Sequence, residues 1–249
     1  MIDSHAHILN EYYDNIYGLI YDLKNKNIRY VLNCADSIKT SKEVIESYIK
    51  YDGFLLPAVG IHPECIDTAD LSELEHLIKN NKVYAVGEIG LDYYQNDTNK
   101  EEQKELFNKQ LDLAEKYKLP IVVHIRDAMQ DTFDILKKRN LKGIIHCFSG
   151  SYEMAKEFIK LGYKLGIGGV LTFKNSKLYQ VIEKIDLNYI LLETDSPYLT
   201  PHPFRGKKNS SKYLTYVAKK VEEVTKTSFK EVCDNTTNNA SSLFDLDVK

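Results

Sequence analysis

The 249-residue chain has little cysteine, six prolines, no tryptophan and no apolar run near the roughly 20 residues a membrane-spanning helix needs. Its four cysteines, Cys34, Cys65, Cys147 and Cys233, are widely separated and form no CxxC pair. That excludes a dense disulfide framework and leaves reduced, mostly buried thiols as the expectation. Neither charge sign dominates. A net charge of −3 excludes a broadly basic body that coats nucleic acid, but leaves room for a local basic groove. The start, Met1-Ile2-Asp3-Ser4-His5, lacks the basic and apolar segments of a secretory signal, so a cytoplasmic protein with no membrane partner is expected. With 43% apolar and 28% charged residues the chain is no disordered tail. No Pro/Gly/Ser-rich linker, low-complexity tract or clear repeat divides it, and one domain over residues 1–249 is expected.

What is present is a series of eight short apolar, β-branched runs: 1–8, 30–34, 54–61, 83–89, 120–125, 143–147, 163–167 and 189–193. Most are apolar on both faces, as in Ile121-Val122-Val123 and Ile190-Leu191-Leu192, the pattern of strands buried in a parallel sheet. The intervening stretches have helical spacing. Leu106, Phe107, Gln110, Leu111 and Ala114 fall on one face of a helix over 101–118, with charges opposite. A second helix over 151–161 starts at a Ser cap and groups Met154, Ala155, Phe158 and Ile159. Eight strand–helix units of this size predict an α/β fold, a TIM (β/α)8 barrel in a single domain. An open doubly wound sheet would carry a GxGxxG turn after its first strand, where this chain has His5-Ala6-His7.

Ionisable residues gather where these strands end: Asp3, His5 and His7 in the first, His62 after the third, Glu88 and Asp92 in the fourth. The fifth adds His124, Arg126 and Asp127, the sixth His146, and the eighth Glu193 and Asp195. In a barrel those ends converge on one face, where active sites are built. His5 and His7 are two apart, so on a strand both point to the same side. Burying so many ligand-type residues without a cation would be costly, so His5, His7, Glu88, His124, His146 and Asp195 are expected to hold two divalent ions. One carboxylate would bridge the pair, and mixed imidazole and carboxylate donors suit Mg2+, Mn2+ or Zn2+ equally. Such a centre activates a water for attack on phosphorus. Asp195 is assigned both ligation and acceptance of the proton released in that attack.

Basic residues hint at the substrate. Only four of the 33 basic residues are arginine, and two of those, Arg126 and Arg205, fall among the strand-end motifs. The guanidinium fork grips phosphate at two points, so both are candidates for substrate binding, with a structural ion pair as the competing role. His62 is a candidate for phosphate contact, or for a hydrogen bond that orients a ligand. Asp92 and Tyr93 sit where they would shape the cleft or merely brace it. Ser149 is a candidate phosphate contact, Lys207, Lys208 and Lys212 extend a basic stretch beyond Arg205, and Tyr93, Tyr94 and Tyr198 are placed to stack on unpaired bases.

Read together, the motifs are familiar. Asp3-Ser-His-Ala-His7, Gly60-Ile-His-Pro63, Gly87-Glu-Ile-Gly-Leu-Asp-Tyr93, His124-Ile-Arg-Asp-Ala128, His146-Cys-Phe-Ser-Gly150, Glu193-Thr-Asp-Ser-Pro-Tyr198, Arg205-Gly-Lys207 and Asn235-Thr-Thr-Asn-Asn-Ala240 run through the whole chain. In that order they resemble the TatD family of metal-dependent deoxyribonucleases, among the amidohydrolase-like barrels. The resemblance implies the same six ligands, with Glu88 as the bridge and, with Asp195, as a catalytic residue. It also implies a 3′–5′ exonuclease acting on single-stranded DNA ends, here expected as a monomer. Two departures, Glu64 where the family often has a second His and Lys208-Asn209-Ser210-Ser211 after Arg205-Gly-Lys207, touch substrate grip more than chemistry. The alternative is hydrolysis of an ester, amide or aminoacyl bond on the same binuclear barrel. Amidohydrolase relatives often bridge their metals with a carboxylated Lys, and Glu88 in that place favours the nuclease.

Overall fold

In a computed structural model, which describes residues 1–247, each of the eight apolar runs forms a strand. They are β1 (Ile2–Ala6), β2 (Tyr30–Cys34), β3 (Leu55–Val59), β4 (Ala85–Asp92), β5 (Ile121–Arg126), β6 (Gly143–Ile145), β7 (Lys164–Ile167) and β8 (Ile190–Leu192). Sequence neighbours are spatial neighbours, and every pair is parallel, as with Val31 opposite Leu55 and Leu165 opposite Ile190. Two hydrogen bonds join the last strand to the first: the His7 amide donates to the Ser196 carbonyl (2.7 Å) and the Asp195 amide to the His5 carbonyl (3.0 Å). The sheet is a barrel.

Around it lie α1 (Ile16–Asn25), α2 (Ile38–Lys50), α3 (Leu71–Asn80), α4 (Lys100–Tyr117), α5 (Met129–Leu136), α6 (Tyr152–Lys160), α7 (Tyr179–Ile182), α8 (Leu214–Thr225) and α9 (Phe229–Phe244). Local chemistry sets several of their starts. Ser151 caps α6 by accepting from the Met154 amide, and Ser37 and Ser228 open α2 and α9 with reciprocal capping boxes. The apolar face expected of α4 is buried as the spacing requires, with Gln103 added to it. No helix among the described residues is long and apolar enough to cross a membrane.

Alternation along the strands divides the core in two. Val31, Leu55, Val86 and Ile121 face the helices, whereas Leu32, Leu56, Ala85, Val122 and Leu191 fill the barrel interior. The lower, N-terminal end of that interior is stoppered by α9, whose Ala240 and Phe244 pack into the interior cluster. The Asn239 amide fixes this helix by donating to the carbonyls of Leu187 (2.7 Å) and Ile190 (2.9 Å), which ties it to the foot of β8. Cys34 alone of the four free cysteines is fully buried; Cys65, Cys147 and Cys233 are half-buried.

Candidate metal centre

The upper end of the barrel receives the polar residues. His5 lies on β1 and His7 just beyond it, Glu88 on β4, His124 on β5, His146 directly after β6 and Asp195 in the turn after β8. The register of β4 slips between Val86 and Ile89, and Glu88 stands in the slip. Gly87 permits it: a Cβ there would stand 2.5 Å from Cβ of Val122 on β5. Asp195 has a left-handed backbone (φ 56°), as do Asp127 and Cys147 in neighbouring turns. Such positive-φ residues cluster where structure imposes a conformation that local energetics disfavour.

Around Glu88 the donor atoms form two groups. Nε2 of His5 and Nε2 of His7 are 3.1 Å apart, and each is 3.4 Å from Oε2 of Glu88. Oδ1 of Asp195 lies 3.6 Å from the first and 3.7 Å from the second. A tetrahedral donor set with bonds of about 2.0–2.1 Å has edges of about 3.3–3.4 Å, so the His5, His7 and Glu88 atoms are spaced for a small divalent ion, and Asp195 Oδ1 groups with His5 and with His146 Nε2 at 3.9 Å. The other Glu88 oxygen, Oε1, faces His124 Nδ1 at 2.8 Å, and His146 Nε2 and His62 Nε2 at 3.8 Å each. One carboxylate therefore addresses two groups of donors with its two oxygens.

The rings are held from behind. His7 turns Nδ1 to the Cys34 carbonyl (2.9 Å), which leaves Nε2 facing the cluster. His124 contacts Oδ2 of Asp92 through Nε2 (2.9 Å), and Asp92 Oδ1 accepts the amides of Tyr94 and Gln95 (3.0 Å each). Asp3 stays outside the cluster and braces the last turn, accepting from the Thr194 amide (2.9 Å) and hydroxyl (2.6 Å). Two glutamines of α4 do similar work. Gln110 both accepts from and donates to the backbone of Ile61 (2.8 and 2.9 Å), beside His62, and Gln103 pairs with the backbone of Asp92 (2.9 and 3.0 Å).

The buried carboxyls and imidazoles of the cluster shift one another's proton affinity. Burial opposes ionisation of Glu88, but the His5 and His146 imidazoles and the hydrogen bond with His124 overrule it and hold the carboxyl well below the usual range. Burial likewise opposes a charge on His146 and His124. Glu193, Glu88 and Asp195 nevertheless push His146 up to about 10, and Asp92 and Glu88 push His124 up to about 9. His62 and His5 go the other way: burial takes His62 down to about 4, and burial with the neighbouring His146 keeps His5 well below its ordinary value. Burial also raises Asp195 to about 6, against the pull of His146 and His7. Glu88 and Asp92 thus lie against imidazoles of which His124 and His146 are held toward the protonated form. Divalent cations would supply the same positive charge, and the donor set fits them.

The cluster floors a cleft of about 650 Å³ whose lining includes Arg126, Ser149 and Tyr198. A larger hollow of about 870 Å³ at the opposite end, lined by Lys118, Lys142 and Lys164 among others, contains none of these donor groups. Arg126 lies flat over Tyr94, 3.8 Å from the ring centre, at the rim of the cleft. Arg205 is elsewhere: it stacks on Phe173 (3.9 Å), donates to the Thr200 carbonyl (2.9 Å) and does not line the cleft. His62 is drawn deeper than a rim contact, into a potential ligand trio with Glu88 and His124. Its Gly-Ile-His-Pro setting is visible in the sequence, but its distance to Glu88 is not.

A family model described as TatD-related DNase matches residues 2–245. The chain belongs to the TatD family. TatD-family kinship extends over its whole length: it is 40% identical to the metal-dependent hydrolase YabD of Bacillus subtilis, covering 98% of each chain. The TatD homologue YjjV of Escherichia coli superposes with a TM-score of 0.94 at 29% identity, covering 99% of this chain and 98% of that one. A TatD-family hydrolase of Entamoeba histolytica shares the fold at 22% identity, with a TM-score of 0.86 over 98% of this chain and 97% of that one. The protein is a metal-dependent hydrolase on an eight-stranded parallel barrel.

Proposed function

We propose that this TatD-family hydrolase is a deoxyribonuclease that removes nucleotides from the 3′ ends of single-stranded DNA, acting as a cytoplasmic monomer. The observation that carries the reading is the divided use of Glu88, one oxygen toward His5 and His7 and the other toward His124, His146 and His62. In this reading His5, His7, Glu88 and Asp195 would hold one divalent ion, and Glu88, His124 and His146 the second. Such a pair, as Mg2+, Mn2+ or Zn2+, would polarise a phosphoryl oxygen and acidify water.

The chain's own groups do the rest. Asp195 accepts the proton of the attacking water, a task suited to a carboxyl that burial moves toward neutrality. Arg126, flattened on Tyr94, presents its free edge to phosphate oxygens, and the exposed Tyr94 and Tyr198 offer faces for an unpaired base. His62 donates to the same phosphate from the floor of the cleft. Lys207 and Lys208, on the loop after β8, draw the backbone in and make binding salt-sensitive.

The test is a time course on a 5′-labelled single-stranded DNA oligonucleotide, with chelator-treated protein alone and with each metal, beside Glu88→Ala. A descending ladder that requires metal and vanishes in Glu88→Ala is expected. A folded protein that cuts no oligonucleotide with any metal overturns the nuclease reading and directs attention to ester, amide and aminoacyl substrates.

A further inference from the structure

Glu193 is wholly buried, two residues before Asp195, and meets His146 at Nδ1, the ring nitrogen other than the one that faces Glu88. Its Oε1 accepts the backbone amide of Cys147 at 2.7 Å and lies 3.0 Å from Nδ1 of His146, at an angle short of a straight hydrogen bond. One oxygen therefore holds the peptide that follows His146 and stands in contact with the ring itself. That peptide needs holding, because Cys147 has a left-handed backbone (φ 45°) that a residue with a Cβ adopts reluctantly. The second oxygen, Oε2, is buried without a hydrogen-bond partner, a costly state for a carboxylate.

The neighbouring strand is cut to fit this side chain. A Cβ on Gly166 of β7 would stand 2.1 Å from Glu193 Oε2 and 2.8 Å from its carboxyl carbon. An expensive carboxylate, a glycine that makes its room and a strained residue it restrains all bear on the back of one imidazole, whose Nε2 points at Glu88.

We propose that Glu193 is a positioning residue that fixes His146 with Nε2 toward the metal centre, and that Gly166 is glycine in order to admit it. The proposal rests on the reading of His146 as a metal ligand. Its effect is on metal affinity before it is on turnover, since an oriented imidazole binds without first being ordered.

The experiment is Zn2+ titration of the chelator-treated full chain against a competing chromophore, which reports the affinity of each ion separately. Wild type is expected to bind two ions, and His146→Ala to lose the tight binding of one. Glu193→Ala is expected to weaken that same ion by about 10–100-fold and leave the other within about threefold, an internal control for folding. Glu193→Gln keeps an acceptor oxygen of the same length and is expected to recover most of the affinity. Gly166→Ala is expected to reproduce Glu193→Ala, and to add little when introduced into it, because the two act through one contact. If His146→Ala costs an ion but Glu193→Ala does not, the positioning role is wrong and the metal reading stands. Full affinity in His146→Ala overturns the ligand reading and this inference with it. Equal losses in Glu193→Gln and Glu193→Ala rule out the acceptor role.

Discussion

The two ends of this barrel are built on opposite principles. At the lower end α9 inserts Ala240 and Phe244 among apolar side chains, and Asn239 occupies two strand-foot carbonyls. At the upper end four histidines, Glu88 and Asp195 are packed against one another, with Nδ1 of His5 and Oε2 of Glu193 left without partners. The lower end is plugged by an apolar helix face, whereas the upper end gathers groups that can ligate a cation. Apolar packing dominates one end, and buried ionisable groups, the kind that carry chemistry, dominate the other.

This contrast breaks most sharply at Asp195. Asp195→Asn keeps the size of the side chain and an oxygen donor but removes the base, and kcat is expected to fall by about 10³-fold. Metal content, measured by mass spectrometry, should stay near that of wild type. Near-normal turnover would show that the proton leaves by another route. The complementary break is Phe244→Ala at the closed end. It is expected to cost about 3 kcal/mol in denaturant unfolding while kcat per folded molecule stays unchanged. A loss of kcat with no loss of stability would contradict the division between the ends.

The protons held in the upper end sharpen the comparison further. His146 and His124 are raised from 6.5 to about 10 and about 9. What their charges add to the metal-free fold is therefore fully present below pH 6.5 and fades as pH rises through those values. A metal ligand must be a neutral imidazole, so metal uptake near neutral pH should release protons and tighten as pH rises. Titrating Mn2+ into weakly buffered protein with an indicator dye should show release on the order of two protons per chain. Uptake without release would mean that these imidazoles are not displaced from their protons by metal. The smallest effects belong to the rim. Arg126→Ala should raise KM for the oligonucleotide roughly tenfold, the worth of a charged hydrogen bond, and Arg205→Ala less than about threefold. Equal effects would return Arg205 to the binding face.

Much of this was legible in the residues. Apolar runs such as Ile121-Val122-Val123 name buried parallel strands because both faces must be covered, and the strand-end histidines follow from where such strands lead. The buried face of α4 was legible for the same periodic reason. What Gln103 and Gln110 do on that face was not, since their partners, the backbones of Asp92 and Ile61, are met only across the fold. Nor does Arg205-Gly-Lys207 reveal that its guanidinium turns onto Phe173. Glu193 and Asp195 look alike in the string Glu-Thr-Asp, yet one stands behind a histidine and the other in front of it. The left-handed backbone at Asp195 and the room left by Gly166 separate them, and neither has a local signature.

The order of the strands around the barrel has a consequence for the chain as it is made. His5 and His7 leave the ribosome before Asp195, yet β1 and the turn after β8 must lie side by side before these residues can meet. The stopper, α9, emerges later still. A nascent chain therefore carries its reactive groups unassembled until β8 and the turn after it have been made. On the reading advanced above, a growing nuclease stays unarmed beside the nucleic acids that crowd a ribosome, and any truncated product stays harmless to them.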